Sequence, residues 1–258
     1  MAEEKKRKSG SSKNDQSQFL CENLTFAGKE AFKRLRTNLQ FCFTDTEGCG
    51  VVGITSSHPA EGKTVTAINL AYSMAQLNKK VLLIDADMRR ASIDSKLNMN
   101  PKPGLSNLLT ETNSAAGALR EYIPKDDSFG FNVLLSGDVP PNPSELLNSP
   151  RMARLLEMLK TKFDYIVIDL PPVGAVSDAQ TISKLVDGML VVIRENHTSK
   201  YILNECITQL NLTNSRIFGF VINGSIAGAS KSSSYGKYGP YNSNYGYSNY
   251  YSSKKEER

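Results

Sequence analysis

The sequence predicts an α/β fold, a doubly wound and mostly parallel sheet, and three observations carry that expectation. Short β-branched runs alternate with helical patterns along the chain, as a parallel sheet covered by helices on both faces requires. A Gly-Lys-Thr at 62–64 follows the first strand-like run and opens a helical pattern. Two later apolar runs end in aspartates, at the strand edge where folds of this class bind their ligands.

Residues 1–18 are rich in Lys, Ser, Asn and Gln, with no large apolar side chain after Met1. Such a segment cannot offset the entropy of ordering, so residues 1–28 are expected to be mobile. Residues 30–41, EAFKRLRTNLQF, read as an amphipathic helix with Phe32, Leu35 and Leu39 on one face. Glu30, Lys33 and Arg36 recur at every third position on another face, which by itself is a solvated charged surface. Strands are expected at 51–55, 81–85, 133–135, 165–169, 189–193 and 218–222. Helices are expected at 64–77, after Ser149 where Pro150 suits the first turn, and at 201–210. Sequential βα units of this kind make one doubly wound domain, expected over 29–226. The last 32 residues are Ser, Gly, Asn, Lys and Tyr with no aliphatic residue beyond Ala229, so 227–258 is expected to be a disordered tail.

The net charge of +5 in 258 residues suggests a nucleic-acid or membrane partner only until it is divided. Residues 1–18 carry +2, residues 227–258 carry +3, and residues 19–226 hold 21 basic and 21 acidic side chains. The body is neutral, so no nucleic-acid partner is expected. The uncharged stretch 217–230 is too short and too rich in Gly, Ser and Asn to span a bilayer. Cys21, Cys42, Cys49 and Cys206 have no metal-ligand or C-x-x-C spacing and read as reduced thiols. A cytoplasmic location is expected.

The chemistry centres on Ser56-Ser57-His58-Pro59-Ala60-Glu61-Gly62-Lys63-Thr64. A P-loop wraps backbone N–H groups round a phosphate at a helix N-terminus, adds a Lys for the β and γ oxygens, and adds a hydroxyl for Mg²⁺. Gly62, Lys63 and Thr64 supply the end of that pattern, whereas Ser57 stands where the strict motif has its first Gly. The strand ends Asp85, Asp87 and Asp169 fall at the same edge, where carboxylates hold Mg²⁺ or its waters. One such Asp is commonly a helix cap; three beside a Lys-Thr pair indicate an ATP and Mg²⁺ site.

Taken together, Pro59-x-Glu61-Gly62-Lys63-Thr64, Asp85-x-Asp87-x-Arg89 and Asp169-x-Pro171-Pro172 resemble the three Walker-type motifs (A, A′ and B) of the P-loop bacterial tyrosine kinases that govern capsule and exopolysaccharide assembly. The resemblance extends through Gly104-Leu105-Ser106, Gly137, Pro140-Pro141-Asn142-Pro143-x-Glu145-Leu146-Leu147 and Glu30-x-x-Lys33-x-x-Arg36. It implies that Lys63 and the loop from His58 to Thr64 hold the phosphates and that Thr64 and Asp169 organise Mg²⁺. It also implies that Asp85, with Asp87 close by, orients or deprotonates the attacking tyrosine. Base and metal support are not apportioned between those two. Asn223 resembles the adenine-contacting Asn of related ATPases, and equally reads as part of an Asn-Gly turn. Ala60 replaces a usual Gly, Ala91 a frequent Pro, and Lys33 the first Arg of the family's E-x-x-R-x-x-R interface helix. The loss of bidentate geometry at Lys33 would weaken a subunit ring built on Glu30, Lys33 and Arg36.

Seven of the eleven tyrosines, Tyr235, Tyr238, Tyr241, Tyr245, Tyr247, Tyr250 and Tyr251, fall within 17 residues. By composition alone such a stretch suits an aromatic low-complexity segment or an RNA-contacting arm. Beside a kinase-like body it reads as an autophosphorylation cluster, reached in trans by a segment spanning roughly 25 Å. The resemblance further implies a membrane adaptor that activates the kinase and recruits it to the inner face of the membrane, a homo-oligomeric ring, and other protein substrates. Two rival readings stay open: a positioning ATPase of the same class, and a nucleotide-bound scaffold. The first typically has a second Lys early in the loop, where Ser56 and Ser57 stand here.

Overall fold

In this computed structural model the described residues are 20–44, 46–111, 119–123 and 129–224. The tail tyrosines and the N-terminal residues 1–19 lie outside them. Six strands, β1 (Gly50–Ser56), β2 (Val81–Asp85), β3 (Asn132–Leu134), β4 (Tyr165–Asp169), β5 (Gly188–Arg194) and β6 (Ile217–Asn223), form one sheet. Its order is β3-β2-β4-β1-β5-β6, and every pairing is parallel. All six strands lie within one residue of the expected boundaries, because β-branched runs buried on both faces leave little choice of register.

Alternation along the strands divides the core in two. Ile166 and Ile168 of β4, with Leu82 and Ile84 of β2, face one apolar cluster, whereas Val167 and Leu83 face the other. The second cluster packs against α1 (Phe26–Cys42) and α2 (Lys63–Ala75) through Leu39, Ile68, Leu70 and Met74. The first packs against α7 (Pro150–Lys160) and α9 (Lys200–Leu212) through Met152, Leu156, Leu159, Cys206 and Leu210. Each of these helices except α2 opens on a hydroxyl cap: Thr25 accepts from the Gly28 N–H, Ser149 from Met152 and Ser199 from Ile202. The Thr25 cap sets the start of α1 at Phe26, four residues before the charged pattern suggested.

Five further helices interrupt the simple βα alternation. These are α3 (Ile93–Leu97), α4 (Leu105–Thr110), α5 (Leu119–Tyr122), α6 (Pro143–Leu147) and α8 (Asp178–Ile182). Each has four to six residues, too short for the 3.6-residue period to register in the sequence.

The functional consequence lies in strand order. β1 sits between β4 and β5, so the chain leaves it at the point where crossovers depart in opposite directions, and such switch points open a crevice at the strand carboxyl ends. Register completes the site: Asp85 of β2 pairs directly with Asp169 of β4. Neighbouring parallel strands are about 4.8 Å apart, so the two carboxylates are forced together beside the β1 loop.

Candidate active site

The loop from Ser57 to Gly62 joins β1 to α2, and its conformation needs two positive φ angles, Ala60 at 64° and Gly62 at 95°. Gly62 is also required for space, since a Cβ there would lie 1.9 Å from Asn223 Nδ2. Ala60 has a Cβ in the left-handed region, a conformation that costs an L-residue about 1 to 2 kcal/mol. Ala60→Gly is therefore expected to raise stability by up to about 1 kcal/mol, part of the gain being lost to a freer unfolded chain. A lower denaturation midpoint for the variant would contradict this reading.

Bracing of the loop comes from side chains. Glu61 is buried, accepts the single Ser57 hydroxyl proton, whose oxygen lies 2.9 Å from both carboxylate oxygens, accepts from the His58 N–H at 2.9 Å, and also accepts from the Thr198 hydroxyl. Ser57, which breaks the strict motif, thus serves the loop through its hydroxyl. Asn223 Nδ2 donates to the Glu61 carbonyl at 2.9 Å, and its Oδ1 accepts from Gly224 at 2.9 Å. Both halves of the Asn223 amide are engaged in the loop and its own turn. Arg194, at the end of β5, donates to the Ala60 carbonyl at 3.4 Å. Thr198 and Arg194 escaped sequence reading; their only signal is a position at or just beyond the end of β5, a strand adjoining β1.

Inside this frame the charged groups converge. Lys63 Nζ lies 2.8 Å from Asp87 Oδ2, 3.5 Å from Asp169 Oδ1 and 3.4 Å from Thr64 Oγ1. Burial opposes the Lys63 charge, but Asp169 and then Asp87 outweigh it and hold its pKa above the ordinary value. Asp85 Oδ1 accepts from the Asp87 N–H at 3.2 Å and Oδ2 from Ile93 at 3.3 Å. Burial, followed by the neighbouring Asp169 carboxylate, pushes the Asp85 carboxyl up to about 7. Asp169 is 1% exposed, and neither of its oxygens makes a hydrogen bond. Burial raises its pKa too, against the pull of Lys63.

A buried carboxylate beside a threonine hydroxyl, with the 3.5 Å Lys63 ion pair on Oδ1 and no hydrogen bond to either oxygen, is what a hard cation would satisfy. Among the described residues no cluster of three or more His, Cys, Asp or Glu side chains forms a metal cage by itself. Mg²⁺ commonly binds through one or two carboxylates and completes its shell with water and phosphate.

The charged positions of α1 part company. Glu30 and Lys33 form an exposed 2.7 Å pair, whereas Arg36 Nη1 turns inward to the Ser73 carbonyl of α2 at 2.5 Å. The sequence pattern grouped them; the fold assigns Arg36 to joining α1 and α2.

A parallel sheet with its switch point at β1, a Gly-Lys-Thr loop opening a helix, and aspartates from two flanking strands define a P-loop nucleotide-binding protein, and the AAA domain family matches residues 51–218. The relatives narrow the class. The tyrosine-protein kinase YwqD of Bacillus subtilis is 37% identical over 210 residues, covering 81% of this chain and 86% of YwqD. The tyrosine-protein kinase Etk of Escherichia coli is 37% identical over 206 residues, 80% of this chain and 28% of Etk. The structure of the E. coli ETK kinase domain superposes with a TM-score of 0.75 at 35% identity, covering 84% of this chain and 83% of that domain. A plasmid partition protein from Borrelia burgdorferi, 24% identical with a TM-score of 0.53 over 67% of this chain and 78% of its own, shares the fold alone. The chain belongs to the bacterial tyrosine-protein kinases.

Proposed function

We propose that this chain is an ATP- and Mg²⁺-dependent protein-tyrosine kinase that phosphorylates its own C-terminal tyrosines in trans and thereby regulates capsular or exopolysaccharide polymerisation and export. The observation that carries the reading is the Lys63 ammonium held between Asp87 and Asp169 at the mouth of the loop, with Asp169 buried and its oxygens lacking a close hydrogen bond. Loop amides at the start of α2 and Lys63 bind the β and γ phosphates of ATP. Bound nucleotide draws Lys63 from its resting carboxylates onto phosphate, and Thr64 and Asp169, with Asp85 and Asp87 beside them, would hold Mg²⁺. Held there, the cation would supply charge neutralisation at the phosphates.

Asp85 is the general base of this proposal: its pKa of about 7 matches a group that takes a proton near neutral pH. The tyrosine oxygen bonds to the γ phosphorus as the bond to the β–γ bridging oxygen breaks, ADP leaves, and the phenolic proton passes to Asp85. Such chemistry asks mainly for positioning and charge neutralisation. The acceptors are Tyr235, Tyr238, Tyr241, Tyr245, Tyr247, Tyr250 and Tyr251, all outside the described residues.

The same proposal covers the partners: a membrane adaptor that activates the kinase and recruits it from the cytoplasm, a ring formed through the Glu30-Lys33-Arg36 helix and tail docking, and further protein substrates. Among the described residues no helix is long and apolar enough to cross a membrane.

Incubating wild type, Lys63→Met and a truncation after Ala229 with labelled ATP and Mg²⁺, and measuring phosphotyrosine and ADP together, tests the reading. Label is expected on wild type alone. Phosphotyrosine persisting in Lys63→Met would refute the site, and ADP without protein label would favour a positioning ATPase.

A further inference from the structure

Asp178 is a carboxylate with no solvent exposure and no place in the chemistry above. A charge in that position is costly unless paired with good geometry, and both its oxygens are engaged. Arg89 Nε donates to Oδ2 at 3.0 Å and Arg89 Nη2 reaches Oδ1 at 3.4 Å, while the Ser144 hydroxyl also donates to Oδ1. Arg89 Nη2 closes the triangle on Ser144 Oγ at 3.1 Å. Three separate segments meet here: the turn after β2, the start of α6 where Pro143 takes the first turn, and the start of α8 beyond the Asp169 strand end.

The turn so pinned is the one that carries Asp87. From Asp85 to Arg90 it is closed by the Asp87 N–H on Asp85 Oδ1 at 3.2 Å and the Arg90 N–H on Asp87 Oδ1 at 3.0 Å, which leaves Asp87 Oδ2 for Lys63 at 2.8 Å. Arg89 lies between those residues, so its anchorage on Asp178 ties the turn to the Asp169 side of the crevice. The arrangement also gives the Pro-Asn-Pro-Ser segment at 141–144 a physical task that the chemistry at the loop leaves unexplained.

We infer that Asp178 is a positioning residue for phosphoryl transfer: through Arg89, and with Ser144 as third member, it locks the Asp85–Arg90 turn so that Asp85 and Asp87 keep their places about Lys63. This rests on the proposed roles of Lys63, Asp85 and Asp87. Nucleotide binding by the loop amides does not pass through the brace, so its loss acts on turnover. A displacement of about 1 Å at reacting groups costs on the order of a hundredfold in rate.

The test compares wild type, Asp178→Asn, Arg89→Lys and Lys63→Met by steady-state phosphorylation of a tyrosine peptide, with the folded fraction of each measured by thermal melting. Asp178→Asn preserves shape and removes the charge; Arg89→Lys keeps the charge, loses the fork, and sits at a side chain 40% exposed, so it tolerates substitution. The expected result is a 10- to 100-fold fall in kcat for Asp178→Asn and a smaller fall for Arg89→Lys, with KM for ATP within threefold of wild type. Wild-type kcat in both brace variants, a loss carried by KM for ATP rather than by kcat, or losses wholly matched by the folded fraction, would overturn the inference. Activity surviving in Lys63→Met would instead overturn the site reading on which it rests.

Discussion

Asp169→Asn is expected to stabilise the nucleotide-free protein while abolishing phosphoryl transfer. In the resting structure the Asp169 carboxylate is buried, makes no hydrogen bond and sits beside Asp85 in register, and the 3.5 Å ion pair to Lys63 does not outweigh its burial. Leaving a buried polar group unsatisfied costs about 1 to 3 kcal/mol, and more when it is charged. Lys63 does not become an orphan in the variant, because its 2.8 Å contact is to Asp87. The sign with pH follows from the raised pKa of Asp169. A carboxyl whose folded pKa exceeds its unfolded value adds stability at low pH and loses it as pH rises through the folded pKa. The advantage of Asn over Asp should therefore widen as pH rises above the ordinary carboxylate range. At about 2 to 4 °C per kcal/mol for a domain of this size, the melting midpoint should rise by several degrees at neutral pH. Activity moves the other way by two to three orders of magnitude, the usual loss when a preorganised charge at the reacting centre is removed. A variant that melts lower and still phosphorylates would show that Asp169 is an ordinary structural carboxylate.

The contrast between Asp169 and Asp178 marks how far the sequence could be read. Asp169 ends an apolar run and faces the Gly-Lys-Thr loop, so strand pattern and motif together place it to the residue. Asp178 pairs with Arg89 across 89 positions, and nothing local announces that contact. The same holds for Glu61 and Thr198, joined across 137 positions, and for Arg36, whose spacing with Glu30 and Lys33 suggested one shared surface before the fold turned it towards Ser73. Periodicity and capping report what a segment does by itself; long-range ion pairs depend on which loops the crossovers bring together. Ala60 is an intermediate case. Its departure from Gly was visible in the motif, while its meaning came only with a φ of 64°.

Asp85 should make both stability and activity depend on pH near neutrality. Its carboxyl stands at about 7 against a reference of 3.8, with burial the largest cause and Asp169 the next. An unfolded chain loses that proton near 3.8 and the folded one near 7, so stability falls across that interval as pH rises, by at most on the order of 4 kcal/mol. Asp85→Asn removes the titration, and its denaturation midpoint should be nearly flat where the wild type declines. Identical slopes for the two proteins would remove Asp85 as the titrating group. Activity has the opposite slope, because a base must be deprotonated to accept the tyrosine proton. The kcat/KM profile should climb through about pH 7 in the wild type. Asp169 supplies the second-largest contribution to that pKa, so neutralising it lowers the Asp85 pKa. In Asp169→Asn the decline in stability attributed to Asp85 should accordingly shift to lower pH, a coupling that two independent carboxylates would not produce.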